Sequence, residues 1–251
     1  MVGIVPSPLR RSTIVAIVFA AGVARMALAQ DPALFERVLV PVSVTFVPGA
    51  YGSLWSTELY YRNNSDRPVA VFPLRVSDSV PSIRRTERLL IFALPAHAPG
   101  QFLYFDRDGG DEVQFDLRLF NRSDPRAAWG TKLPVVRDAE FAPEVSLINV
   151  PTGSDFRSAL RIYALPEALP IDDLVRVRIY THDERLLADT VLRLQGLPKY
   201  AQILSLADVF PEIRDVERVR VHVEANAGEA KLWAFVSVTA NATQQVSLVT
   251  P

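Results

Sequence analysis

Apolar and polar positions alternate most legibly along Trp55–Val76, WSTELYYRNNSDRPVAVFPLRV. Side chains alternate across an extended chain, so Leu59 and Tyr61 share one face and Tyr60 takes the other. Tyr, Val, Phe and Thr dominate both flanks and suit a pleated, half-buried surface. Between them, Asn63-Asn64-Ser65-Asp66-Arg67-Pro68 is a turn cluster, because Asn and Asp tolerate left-handed backbone and bond their own main chain. Pro68 cannot donate to a ladder and belongs at the head of a strand. The pattern predicts a β-hairpin of Thr57–Arg62 and Val69–Val76.

The same period runs through the rest of the chain. Val38–Phe46 reads as a strand interrupted by Pro41, which places it at an edge or a sheet-switching position. Leu89–Leu94 and Gln101–Phe105 follow, and then Val113–Leu119 with Val113, Phe115, Leu117 and Leu119 facing a core. Trp129–Val136 closes the first half. An offset of 101 residues sets Leu59-Tyr60-Tyr61 against Leu160-Arg161-Ile162, and Gln101-Phe102-Leu103 against Gln202-Ile203-Leu204. An offset of 106 sets Val69-Ala70-Val71 against Val175-Arg176-Val177, and Val113/Phe115/Leu117 against Val219/Val221/Val223. Trp129 and Trp233 open the last strand of each half, as core residues between sheets. Ser205–Phe210 predicts a one-turn helix with a side-chain cap. The expected fold is all-β, two tandem immunoglobulin-like antiparallel β-sandwich modules, residues 30–138 and 139–251, after a signal peptide. The boundary is expected near Arg137–Phe141, and the competing architecture is one jelly roll of about 220 residues.

The signal is residues 1–29. Arg10 and Arg11 precede the apolar run Ile14–Ala24, and Ala27-Leu28-Ala29 supplies a small-x-small cleavage site. The run is shorter than the roughly 18 apolar residues of a membrane span. These features predict export to the periplasm or the cell exterior, with no transmembrane segment in the mature chain. Removing Arg10, Arg11 and Arg25 leaves 24 basic against 28 acidic residues, a net of about −4 that argues against a nucleic-acid partner. Three lysines against 24 arginines, with abundant alanine, is a bias of GC-rich bacterial genomes. Cysteine is absent, so stability rests on core packing without disulfides, and thiol catalysis is excluded.

Leu59-Tyr60-Tyr61-Arg62-Asn63 followed by Pro68-Val69-Ala70-Val71 resembles a strand–turn pattern of bacterial extracytoplasmic immunoglobulin-like domains. With Gly52–Thr57 before it and Trp233–Val238 near the end, the chain looks like uncharacterised exported bacterial proteins of tandem β-sandwich design. The resemblance implies architecture and no chemistry. Periplasmic pilus chaperones share the signal-plus-two-sandwich plan, and that analogy implies a cleft holding a carboxylate through Arg37 and Lys132.

Candidate chemistry is sparse. His97, His182 and His222 are far apart in sequence, unlike the ligands of a zinc motif, and read as surface residues. Gly-x-Ser-x-Gly, HExxH and phosphate-loop motifs are absent from the sequence. Asp106, Asp108 and Asp111 form the metal candidate, a calcium loop that departs from the usual pattern because Gly110 takes the third ligand position. Asp172-Asp173 is a lesser acidic pair. Tyr51, Trp55, Tyr60 and Tyr61 would suit a sugar-binding face if exposed together, and core packing otherwise. Asn63, Asn121 and Asn241 head Asn-x-Ser/Thr sequons, which serve as turn chemistry in a bacterium. The leading expectation is an exported, non-catalytic protein that presents loops or sheet edges to a protein or glycan partner. The alternatives are a carbohydrate-binding module, a secreted hydrolase and a periplasmic chaperone.

Overall fold

The computed structural model describes residues 35–73, 82–83, 100–124, 129–165, 174–194, 201–225 and 230–251. The predicted signal, the strand Leu89–Leu94, His97 and Asp172-Asp173 lie outside the described residues. The chain is all-β. Its first half contains β1 (Phe35–Val40), β2 (Val47–Pro48), β3 (Leu54–Asn63), β4 (Val69–Pro73), β5 (Ser82–Ile83) and β6 (Gln101–Asp106). A helical turn α1 (Arg107–Gly110) precedes β7 (Val113–Asn121), β8 (Thr131–Leu133) and β9 (Val136–Arg137). The second half contains β10 (Glu144–Pro151), β11 (Phe156–Ala164), β12 (Leu174–Tyr180), β13 (Leu186–Arg193) and β14 (Ala201–Ser205). The helical turn α2 (Leu206–Val209) then leads to β15 (Arg218–Ala225), β16 (Leu232–Ala240) and β17 (Val246–Val249). The α2 turn falls where Ser205–Phe210 predicted it, but Ser205 makes no side-chain cap bond.

The strands form four antiparallel sheets, ordered β2-β3-β7-β8, β5-β4-β6-β1-β9, β14-β11-β16-β17 and β10-β15-β12-β13. The sheets are disposed more like four small blades than as two immunoglobulin-like sandwiches. Strand order explains the departure. In an immunoglobulin sandwich the sixth strand pairs with the seventh. Here β15, sixth in the second half, pairs with β10 and β12, while β16 pairs with β11 and β17.

The predicted hairpin does not form. β3 pairs with β2 and β7, whereas β4 pairs with β5 and β6, so the chain crosses from one sheet to another between them. Asn63 is the reason. It is fully buried, its Oδ1 accepts from the Ser65 N–H at 2.9 Å, and its Nδ2 donates to the Arg67 carbonyl at 2.7 Å. That side-chain ring satisfies the Ser65 N–H and the Arg67 carbonyl, the Asn64 N–H donates to the Glu112 carbonyl at 3.1 Å, and the segment closes as an arch.

Strand order recurs between the halves with β1, β3, β4, β5, β6, β7 and β8 matching β10, β11, β12, β13, β15, β16 and β17. β6 therefore corresponds to β15, and β7 to β16. The sequence offsets that set Gln101–Leu103 on β14, and Val113–Leu117 on β15, are displaced by one strand. β2 takes beside β3 the edge place that β14 takes beside β11, although β2 precedes its partner in the chain and β14 follows it.

Two tryptophans set in parallel by sequence occupy opposite environments. Trp233 is 4% exposed on β16, while Trp129 is 81% exposed in the turn before β8, against the expectation that both are core. β16 is buried on both faces. Trp233 and Phe235 join one core cluster, and Leu232, Ala234, Val236 and Val238 join the other. β1 and β6 are likewise enclosed, with Val38–Val40 and Phe102–Phe105 buried without interruption.

Two stability outcomes follow from this packing. Trp233→Ala should cost about 3–5 kcal/mol, while Trp129→Ala should stay within about 0.5 kcal/mol, read as shifts in urea midpoints. Gly100 has φ +152°, and a Cβ there would lie 2.9 Å from Tyr163 Cε1 and 3.0 Å from the Val40 and Pro41 carbonyls. Gly100→Ala should therefore lower stability by more than about 2 kcal/mol, in the same denaturation experiment.

Candidate functional site

The halves meet along the outer face of the β11–β16 pair. Tyr163 and Trp233 stand opposite each other in register, and Phe235 stacks parallel to Tyr163 at 6.3 Å between centroids. The Tyr163 hydroxyl donates to the Pro41 carbonyl just past the end of β1. Pro41 thus ends its strand and supplies the acceptor that ties the halves together. Burial pushes the Tyr163 phenol up to about 12, opposed by the neighbouring Arg161 guanidinium.

Beside this contact lies a cavity of about 200 Å³. Its walls are apolar and come from both halves, with Val42, Val44, Trp55 and Leu119 on one side and Phe235 and Leu248 on the other. Arg157 and Arg161 add charge from β11, because residues four apart on a strand share a face. Arg157 donates to Asn241 Oδ1 and Gln244 Oε1, both at 2.7 Å, and lies 5.1 Å from the Tyr51 ring centroid. Arg161 lies over the Phe235 ring at 5.9 Å, and its Nε is buried without a hydrogen-bond partner. Neither arginine makes an ion pair among the described residues. Arg220 also has a buried, unpaired Nε, yet its Nη2 binds Glu184. A half-buried cation without a carboxylate, facing apolar walls, is costly unless something anionic completes it.

A second cavity, of about 550 Å³, lies at one end of the second half between the β10 bulge and the turn at Thr181–Glu184. Its arginines are already engaged, Arg218 with Asn149 at 2.8 Å and Arg220 with Glu184. His182 lines it in the exposed turn.

The residues singled out in the sequence fall as follows. Asp108 lies within the α1 turn and Asp111 just after it, and they face arginines, Arg67 at 3.0 Å and Arg137 at 3.4 Å respectively. Their side chains are 87% and 95% exposed. The Asp106 side chain lies outside the described residues. Arg37 on β1 pairs with Asp138 at 3.1 Å, and Lys132 sits on β8 opposite Arg118 in a different sheet. Tyr51 is 77% exposed in a turn, Trp55 lines the first cavity, and Tyr60 and Tyr61 point to opposite faces of β3. These four rings form no common row.

His222 projects from the outer face of β15 beside Ser146 of β10, with Nδ1 at 2.9 Å from Oγ. Its Nε2 is 3.5 Å or more from the nearest carboxylates, Glu144 and Glu224, too far for the orienting hydrogen bond of a serine relay. Sequence reasoning missed Arg157 and Arg161. Their signal was two arginines at a spacing of four within a strand that otherwise reads as core.

Comparison with known proteins finds no matching family model, curated protein or solved structure. No helix among the described residues is long and apolar enough to cross a membrane.

The raised phenol of Tyr163 gives a pH signature with a definite sign. Below about pH 10 the phenol is neutral in both folded and unfolded chains. Above it the unfolded chain releases a proton that the folded chain keeps, so stability falls as pH rises toward 12. Tyr163→Phe should remove up to roughly 1.4 kcal/mol per pH unit of that alkaline loss. Urea denaturation at pH 9 and pH 11 checks this, and parallel losses in wild type and variant would count against it.

Proposed function

We propose that the chain is an exported binding protein, and not a catalyst, that holds a small organic anion between its two halves. The observation that carries this reading is Arg161, which lines a largely apolar cavity, meets the Tyr163 hydroxyl and the Phe235 ring, keeps a buried, unpaired Nε, and has no carboxylate partner among the described residues. A ligand carboxylate would complete it, and charge-assisted hydrogen bonds to a half-buried guanidinium contribute about 1.5–3 kcal/mol each. Arg157 stands two pleat repeats away on the same face, held by neutral amides that leave its charge uncompensated. Val42, Val44, Trp55, Phe235 and Leu248 would enclose an apolar body. The volume, about 200 Å³, suits a compact aromatic or branched aliphatic acid. Export is supported by the basic, apolar and small-residue pattern of residues 1–29.

Thermal shift and calorimetry with a panel of aromatic and branched aliphatic carboxylates, each paired with its neutral amide, test the reading. Carboxylates should raise the melting temperature and amides should not. Arg161→Met should weaken carboxylate binding at least tenfold while leaving the unliganded fold as stable as wild type or more so, since it removes an uncompensated charge. Equal response to acids and amides, or unchanged affinity in Arg161→Met, would sink the proposal.

A further inference from the structure

The outward face of the β10-β15-β12-β13 sheet carries a cluster independent of the cavity. Glu144 stands opposite Glu224, and Ser146 opposite His222, across the β10–β15 ladder. One face therefore gathers an imidazole and two carboxylates from adjacent strands. His222 Nε2 lies 3.5 Å from Glu144 Oε2 and 3.6 Å from Glu224 Oε2, and the three ligand atoms all fall within 4.8 Å of one another.

Those spacings discriminate between two chemistries. An imidazolium clamped between carboxylates closes to about 2.7–2.9 Å. Ligand atoms arranged tetrahedrally about zinc, at bond lengths near 2.1 Å, are separated by about 3.4 Å. The two His–Glu distances are too long for the first arrangement and match the second. We propose that Glu144, His222 and Glu224 bind a divalent transition-metal ion of the zinc class, with water completing its coordination.

The surrounding residues fit that role. Ser146 Oγ, 2.9 Å from Nδ1, can accept the Nδ1 proton and leave the Nε2 lone pair facing the carboxylates. Arg178 holds Glu224 through two hydrogen bonds of 2.9 and 2.8 Å, which fixes the carboxylate while each oxygen keeps a second lone pair. Arg176 and Asp189 form the next pair along the same face, at 2.7 and 2.6 Å. Glu144, with 69% of its side chain exposed, is the ligand free to close on the ion from solvent, whereas His222 is 14% exposed. Three protein ligands with an open position describe an accessible site, unlike the closed four-ligand shell of a structural zinc.

Metal-stripped protein titrated with zinc chloride by calorimetry, and with cobalt(II) by visible absorption, tests the site. The expected result is one ion per chain, weakened at least tenfold by His222→Gln and by Glu144→Gln. Ser146→Ala should cost about tenfold by loosening the imidazole. Glu144→Gln alters only an exposed side chain, so it decides the matter even if His222→Gln fails to fold. Absence of stoichiometric uptake, or the same affinity in wild type and Glu144→Gln, overturns the proposal. Arg161→Met leaves these ligands untouched and should bind zinc as wild type does, so failure of the anion site and failure of the metal site are read separately.

Discussion

Burial of the β11–β16 pair on both faces is the constraint on which the rest of the molecule depends. One face carries Leu160, Ile162, Ala234 and Val236 into the core of the second half, and the other carries Tyr163, Trp233 and Phe235 against the first half. A sheet enclosed in this way cannot alternate apolar and polar residues, and it must bring its own partners for any polar atom it buries. The Tyr163 hydroxyl meets that demand through the Pro41 carbonyl. Gly100 keeps clear the space that the ring occupies. Fully burying side chains of this size contributes about 1.5–3 kcal/mol each, so the three aromatic rings outweigh any single ion pair at the surface.

Arginine handling sets the functional features apart from the scaffold. Several arginines of the scaffold are met by acids: Arg37 by Asp138, Arg122 by Glu58, Arg137 by Glu36 and Arg178 by Glu224. These pairs are half-buried, and each cation there is met by an opposite charge. Arg157 and Arg161 meet no acid among the described residues, and they differ from surface arginines in facing a largely apolar cavity where the halves join. The chain offers them amides, two aromatic rings, the Tyr163 hydroxyl and, at Arg161 Nε, nothing. A departure from the local rule is the kind of inconsistency that marks a functional position, because the stability it forgoes must be recovered elsewhere.

Much of the fold was legible in the sequence, and the errors have physical causes. Period-two alternation located β3, β7, β12 and β15 because each has one face in a core and one in solvent. Pairing was not legible, since a turn cluster reads the same in a hairpin as in an arch. The buried Asn63 ring decides between them only in three dimensions. The parallel between Trp129 and Trp233 failed because the two fall in non-equivalent places, a turn and a doubly buried strand. Runs such as Phe102–Phe105 and Leu232–Val236 did carry the signal for two-sided burial, through their lack of alternation. For the sites, His222 was visible as a residue but its carboxylates were not, because Glu144 is brought beside it only by the β10–β15 register.

The shared face also constrains how the two halves behave together. The first core cluster draws Tyr163, Leu165, Trp233 and Phe235 from the second half, so exposing it would cost several large apolar side chains at once. The cavity walls come from both halves in the same way. A ligand bound there favours only the joined arrangement, and by linkage it stabilises the junction by RT ln(1 + L/Kd), where L is the free ligand concentration. The Glu144–His222–Glu224 face has a different dependence, because its ligands come from two strands of one sheet in the second half. Binding at the cavity therefore reports on the junction, while binding at the sheet face reports on the second half alone.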